Sequence, residues 1–337
     1  MINVGIIGAG RIGQVHAKGI LTGAPNAKIL AIADPYMSVA AEQWAKEAGI
    51  ETVTKDYKVI LNDPRIDAVL ICSSTDTHAP LSIEAIQAGK HVFCEKPIDQ
   101  KLEKIAEVRA ALSASPKKLK YQVGFNRRFD HNFRALREAV LGGKIGDVQF
   151  IRISSRDPEP PPAGYVKNSG GLFLDMMIHD LDMLRYLSGS EIEEVYATGA
   201  VLIDPAIGAE GDVDTATVSA RMSNGALALI DNSRKSVYGY DQRAEVFGSK
   251  GSVQNGNDLP STAIISTVDG VVAEKPLWFF LQRYMASYQA EVRAFLDSIE
   301  NDTPVEVGLP DGELTIRLAL ACKRSMEEHR PVKSSEI

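Results

Sequence analysis

A chain of 337 residues, 45% hydrophobic and 24% charged, is long enough for two domains of ordinary size with full cores. Its net charge of −7 is spread rather than blocked, and the one basic cluster, Lys117-Lys118-Leu119-Lys120, reads as a solvated turn after Pro116, so no nucleic-acid partner is expected. Cys72, Cys94 and Cys322 have neither the number nor the spacing of a disulfide framework or zinc site, and no apolar stretch approaches the ~18–20 residues of a membrane span. The first apolar run is broken by glycines, unlike a signal peptide, so the cytoplasm is the expected location.

The first third alternates strand and helix patterns. Ile2–Ile7 reads as an apolar strand running into Gly8-Ala9-Gly10-Arg11-Ile12-Gly13, with a helix over 12–22. In such a turn Gly8 permits the tight bend, Gly10 lets the backbone approach a pyrophosphate, and Gly13 lets the helix pack on the strand. The helix N-terminus, around Arg11 and Ile12, offers N–H groups and a positive dipole end to phosphates. The next strand, 29–33, ends in Asp34, near the ~20-residue offset at which a carboxylate holds the adenosine ribose hydroxyls. No Arg or Lys follows in Pro35-Tyr36-Met37-Ser38 to offset a 2′-phosphate, which favours NAD over NADP. The alternative is a glycine-rich turn in an ordinary α/β domain.

Helices over 39–48 and 57–61 flank a short strand at 52–53, and 68–72 (AVLIC) is a buried strand. The loop Ser73-Ser74-Thr75-Asp76-Thr77-His78 follows it at the carboxyl edge of the sheet, where ligands of α/β folds bind, and places Ser73, Ser74, Thr75 and His78 among the cofactor contacts. The same residues also suit a helix N-cap before a helix over 80–88. The strand 91–94 leads to Glu95-Lys96-Pro97. Glu95 and Lys96 are placed among the cofactor contacts, and Lys96 points toward the cofactor crevice, where partial burial suits it to proton handling or hydroxyl orientation; a surface lysine paired with Glu95 is the alternative. A helix over 102–113 and a strand over 121–124 complete an N-terminal Rossmann dinucleotide-binding domain, residues 1–124, with a parallel doubly wound sheet.

After Gly124 the pattern changes. Strands are expected over 148–155, 195–201, 215–222, 226–232 and 242–248, with a hairpin at Ser223-Asn224-Gly225 and helices over 132–141, 171–187, 278–299 and 311–329. Residues 125–337 thus read as a C-terminal α/β domain with a largely antiparallel open sheet. Glu159-Pro160-Pro161-Pro162 is a stiff polyproline-type segment. In Gly170-Gly171-Leu172-Phe173-Leu174-Asp175-Met176-Met177-Ile178-His179-Asp180-Leu181-Asp182, Asp175 and His179 stand i, i+4 and share one face of the expected helix. A histidine suits removal of an alcohol proton near neutral pH, and an adjacent carboxylate fixes its tautomer. Satisfied polar residues near a helix start, or a metal held by Asp175, His179 and Asp182, are the alternatives, and no metal is expected because no open-site ligand set is evident.

At these last motifs the chain resembles the glucose–fructose oxidoreductase/inositol dehydrogenase (Gfo/Idh/MocA) family. The likeness extends through GAGRIGQVHA, AIADP, CSSTDTHAP, HVFCEKP, VGFNRRFD, SSRDPEPPP, GGLFLDMMIHDLD and YGYDQRAEVFGSKGS, nearly the whole length, and is strongest to the inositol dehydrogenase branch. The resemblance implies NAD-dependent oxidation of a polyol, myo-inositol to its 2-keto form, in inositol catabolism, by a homotetramer formed through the open sheet. It implies that Lys96 orients the substrate hydroxyl, that Asp175 and His179 relay the proton, and that Arg127, Ser155, Arg156, Asp157, Tyr238 and Tyr240 are candidate polyol contacts. Some inositol dehydrogenases carry His and Asn where this chain has Ser155 and Asp157, so another cyclitol (scyllo- or D-chiro-inositol) or an aldose remains an alternative substrate. A non-catalytic NAD- and sugar-binding regulator is the rival of another class, against which the joint presence of Lys96, Asp175 and His179 argues.

Overall fold

The apolar runs of the first third lie side by side as parallel strands in a computed structural model that describes residues 1–337, the side chain of residue 163 excepted. In chain order they and their helices are β1 (Ile2–Ile7), α1 (Arg11–Gly23), β2 (Ala27–Ala33), α2 (Val39–Glu47), β3 (Thr52–Thr54), α3 (Lys58–Asn62), β4 (Ala68–Ile71), α4 (Thr75–Gln87), β5 (His91–Glu95), α5 (Leu102–Ala114) and β6 (Tyr121–Gly124). The strand order β3-β2-β1-β4-β5-β6, all pairs parallel, is the doubly wound arrangement expected. β4 is buried at every position, which explains its unbroken apolar run: helices cover both faces of such a sheet. The order reverses between β1 and β4, and ligands of open parallel sheets bind at the carboxyl ends of such neighbours. α4 starts at Thr75, ahead of the expected Pro80. The Thr77 N–H and hydroxyl both turn back to the Ser74 carbonyl, and Pro80 forfeits only one helix bond near the start.

The chain continues through α6 (His131–Leu141), β7 (Val148–Arg156), α7 (Ala163–Ser169), α8 (Leu172–Asp175), α9 (Ile178–Ser188), β8 (Ile192–Ala200), α10 (Pro205–Ala209), β9 (Thr215–Met222), β10 (Leu227–Ser233), β11 (Asp241–Gly248), β12 (Gly251–Asn255), β13 (Ile264–Thr267), β14 (Gly270–Ala273), α11 (Phe280–Arg283), α12 (Met285–Glu300), α13 (Leu309–Glu328) and β15 (Val332–Lys333). The second sheet runs β12-β11-β7-β10-β9-β8-β15 and is antiparallel except between β7 and β10. The Asn224-Gly225 turn joins β9 to β10 as expected, with Gly225 at φ +87. Strict alternation of buried and exposed positions in β9 leaves one sheet face covered and one open. On the open face Phe247, Phe150, Leu227 and Arg221 form one row across four strands, and Leu227 and Phe247 are exposed.

Two expectations need correction. Residues 171–187 are not one helix. Met177 N–H reaches Leu172 O, and His179 N–H bonds Met176 O, so Asp175 closes α8 while His179 lies in the first turn of α9. Nor does one cut after residue 124 divide the chain: the compact units are Met1–Phe129 with Ala286–Ile316, and Asp130–Met285 with Arg317–Ile337. The apolar face of α12 draws the later segment back, since Val292, Phe295 and Leu296 share a core with Ile2, Val4, Ile20, Ile29 and Phe93. Among the described residues no helix is long and apolar enough to cross a membrane.

Candidate active site

The glycine turn of the first unit is built by steric necessity. Gly8 holds φ +106, and a Cβ there would come within 2.5 Å of the Cys72 carbonyl carbon and oxygen. A Cβ on Gly13 would overlap the Gly8 carbonyl oxygen, whereas one on Gly10 would meet nothing within 4 Å. Two of the glycines therefore serve the fold, and Gly10 leaves open space at the start of α1. There the helix has no side-chain cap and no acid in its first turn, an arrangement suited to phosphate. Asp34 is tied to the same turn: its carboxylate accepts from Ala9 N–H and from Tyr36 N–H, each at 2.8 Å. An open glycine, an acid-free helix start and a carboxylate fixed beside them fit a dinucleotide with free ribose hydroxyls.

At the end of β4 the Ser73 hydroxyl meets Thr77 Oγ1 at 2.6 Å, with Ser74 exposed and Thr75 half-buried. His78, expected among the cofactor contacts, is instead 2% exposed. Its Nδ1 lies 2.7 Å from the Pro97 carbonyl and its Nε2 3.1 Å from the Ser73 carbonyl. Burial alone would lower its pKa, but the Cys94 sulfur and the two carbonyls outweigh that and raise it to about 9. Two acceptors facing both ring nitrogens favour the imidazolium, which ties the loop after β4 to the cis Lys96-Pro97 turn after β5.

Glu95 is likewise turned inward rather than toward a cofactor. Its Oε1 is 2.5 Å from His16 Nε2, and its Oε2 accepts from the Lys96 main-chain N–H at 3.2 Å. Gly124 lies against it, because a Cβ there would approach the carboxyl to 3.1 Å. Lys96 follows, half-buried, and Arg127 lies 3% exposed in the 3₁₀ turn Asn126–Phe129.

The second unit gathers a different set. Asp175, at the end of α8, accepts from the Tyr165 hydroxyl and from Arg234 Nη2, both at 3.0 Å, and Arg234 Nη1 donates to Asp157 at 3.3 Å. Arg234 is 4% exposed and bridges two carboxylates brought from α8 and from the end of β7. Tyr165 is 50% exposed as a residue; partial desolvation of its hydroxyl, with Asp175 beside it, raises its pKa, so it remains a phenol donor. Leu172 N–H, donating to both Asp212 carboxylate oxygens at 3.0 Å, anchors the start of α8. His179 stands half-buried in the first turn of α9.

The candidate polyol contacts separate. Ser155 is fully buried, its hydroxyl donates to Gln242 Oε1 at 2.6 Å, and it stands in register with Asn232, whose amide donates to Asp180 of α9. Tyr238 donates to Asp241 at 2.6 Å and accepts from Arg156, which also pairs with Asp231. Tyr240 is buried with its ring edge-on to Tyr284. Asp157 stays with Asp175 through Arg234. Sequence reasoning missed Arg234 and Tyr165; an arginine directly after a strand and a tyrosine after PPP were the available signals.

Residues 2–125 match the family described as an oxidoreductase family with an NAD-binding Rossmann fold, and residues 133–254 match the GFO/IDH/MocA C-terminal domain. Myo-inositol 2-dehydrogenase of Thermotoga maritima is 46% identical over 100% of this chain and 99% of its own, and inositol 2-dehydrogenase of Rhizobium meliloti is 46% identical over 98% of each. The crystal structure of scyllo-inositol dehydrogenase from Lactobacillus casei with bound NAD(H) and scyllo-inositol covers 99% of each chain at 33% identity, with a TM-score of 0.91. With this coverage over both units, the chain belongs to the Gfo/Idh/MocA family of oxidoreductases.

Proposed function

We propose that this protein oxidises the C2 hydroxyl of myo-inositol to the ketone in an NAD-dependent reaction. The observation that carries this reading is the Asp175–Arg234–Asp157 bridge, a buried guanidinium fixing two carboxylates beside the helix that presents His179, in a chain 46% identical to two inositol 2-dehydrogenases. When bound, NAD accepts the hydride from the carbinol carbon. Gly10 and the start of α1 are assigned the pyrophosphate, and Asp34 the adenosine ribose.

Oxidation also releases the hydroxyl proton, and His179 is the group assigned to take it. Asp175 orients that imidazole and stabilises its cation. Arg234 and Tyr165, donating to separate oxygens of Asp175, hold the carboxylate stationary. Lys96 is assigned the reacting oxygen, whose developing negative charge its ammonium stabilises. Arg127 and Asp157 are proposed as polyol contacts.

A second reading, scyllo-inositol as the preferred isomer, draws on the Lactobacillus casei relative and on the inward turn of Ser155. The open face of the second sheet, with Leu227 and Phe247 exposed in a continuous row, supports a homotetramer. A cytoplasmic role in inositol catabolism completes the reading.

Steady-state kinetics of three variants test the roles. His179→Ala is expected to lower turnover by ~10²–10⁴-fold with NAD affinity retained. Lys96→Ala is expected to impair both turnover and KM for inositol, and Asp175→Asn to resemble His179→Ala. Near-normal turnover of His179→Ala would remove histidine as the base.

A further inference from the structure

One buried acid has no part in the reaction as described. Glu291, on α12, is 0% exposed, and neither of its carboxyl oxygens has a hydrogen-bond partner among the described residues. One ligand atom each of Glu291, Glu95 and His16 lie within 4.8 Å of one another. No lysine or arginine is paired with Glu291 among the described residues. The groups facing it are His16 of α1, Glu95 of β5 and the buried Cys72 thiol after β4, while Gln122 of β6 donates to its main-chain carbonyl. On its own helix, the Tyr288 ring stands edge-on to His16.

A metal ion does not explain the cluster. His16 Nε2 and Glu95 Oε1 are 2.5 Å apart, a hydrogen bond, whereas two ligands of a tetrahedral ion with bonds of about 2 Å stand about 3.3 Å apart. The partners are divided unequally. The Glu95 carboxyl lies 2.5 Å from His16 Nε2 and accepts from the Lys96 main-chain N–H, whereas neither oxygen of Glu291 has a partner among the described residues. A second carboxylate beside Glu95 would be buried, uncompensated and repelled.

We propose that Glu291 holds a proton throughout the working pH range, and that His16, Glu95 and Glu291 together form a positioning group for Lys96. Burial, reinforced by the charge on Glu95, acts in the same direction on the Glu291 acid. With Glu291 neutral, Glu95 stays between His16 and the Lys96 N–H and fixes the entry to the Lys96-Pro97 turn. Gly124, which leaves room for that carboxyl, belongs to the same device.

The positioning role rests on the reading of Lys96 as a substrate group; the proton does not. Infrared difference spectra of the whole protein against Glu291→Gln, between about pH 6 and about pH 9, are expected to contain the carbonyl stretch of a protonated acid in the unaltered chain only. Glu291→Gln, the neutral isostere, is expected to keep kcat/KM for myo-inositol within about threefold. Glu291→Ala is expected to lose about tenfold or more, chiefly in kcat, with NAD affinity by fluorescence unchanged. Absence of the band, a Gln variant as impaired as Ala, an Ala variant with unaltered kinetics, or a stoichiometric metal lost with Glu291 would each overturn the proposal. If the unaltered protein did not oxidise myo-inositol, the substrate reading would fail, and the infrared band would still decide the proton.

Discussion

Arg234→Met would remove the cation that joins Asp157 to Asp175 while keeping most of the side-chain volume. Arg234 is 4% exposed, and its bonds to Asp175 and Asp157 measure 3.0 and 3.3 Å. A hydrogen bond to a charged group contributes ~1.5–3 kcal/mol, and breaking a buried ion pair costs ~3–5 kcal/mol. The carboxyl side chains are 13% and 20% exposed, so water takes up part of the uncovered charge and Tyr165 still holds one oxygen of Asp175. The lower figure, about 3 kcal/mol, is therefore expected. If Asp175 orients the base, that loss reaches the transition state and lowers kcat/KM by about 100-fold, at about 1.4 kcal/mol per tenfold. Arg234→Lys is expected to fall between, because one ammonium does not reproduce a two-pronged bridge. The assay is NADH formation at several inositol concentrations, with thermal unfolding and NAD binding as controls. A folded Arg234→Met enzyme with kcat/KM within about threefold of the unaltered protein would refute the reasoning.

Two further outcomes follow from the first unit. Catalytic efficiency with NAD should exceed that with NADP, and Asp34→Ser combined with Tyr36→Arg should narrow the gap, since Tyr36 is 91% exposed and tolerates replacement; equal use of both cofactors by the unaltered chain would contradict the role of Asp34. His78, with a pKa raised from 6.5 to about 9, contributes stability that is fully present below about pH 6.5 and lost as pH rises through about 9. Roughly 3 kcal/mol is at stake at 1.36 kcal/mol per pKa unit. Urea midpoints across that window should fall for the unaltered protein and stay flatter for His78→Gln, and parallel slopes would remove His78 as the cause.

How much of this was legible in the sequence depended on the range of the interaction. β1, β4 and β5 were readable because both faces of a parallel strand are buried, and the glycine turn because its sterics are local. The break between α8 and α9 was not. Leu172–Asp175 and Ile178–Ser188 carry a continuous helical pattern, and α8 is anchored from Asp212, 40 residues away. Arg234 reads as an ordinary surface arginine at a strand end, because its partners are 59 and 77 residues distant. The surroundings of Ser155 are hidden for a related reason: which way a hydroxyl near a strand end faces depends on register, and the register aligns it with Gln242. Glu291 left a trace that went unused, an acid on the apolar face that also carries Val292 and Phe295. The return of residues 286–316 to the first unit is a long-range packing outcome with no local signature. Isomer preference is equally hidden, since epimers differ by a few hydrogen bonds of about 1–3 kcal/mol each.

The most direct test of the account is the rate of NADH formation, followed by absorbance, when the purified protein is given NAD with a panel of myo-, scyllo- and D-chiro-inositol and common aldoses. NAD-dependent turnover with an inositol is expected, myo-inositol giving the highest kcat/KM. Turnover confined to aldoses, or NAD binding with no oxidation of any member of the panel, would contradict it.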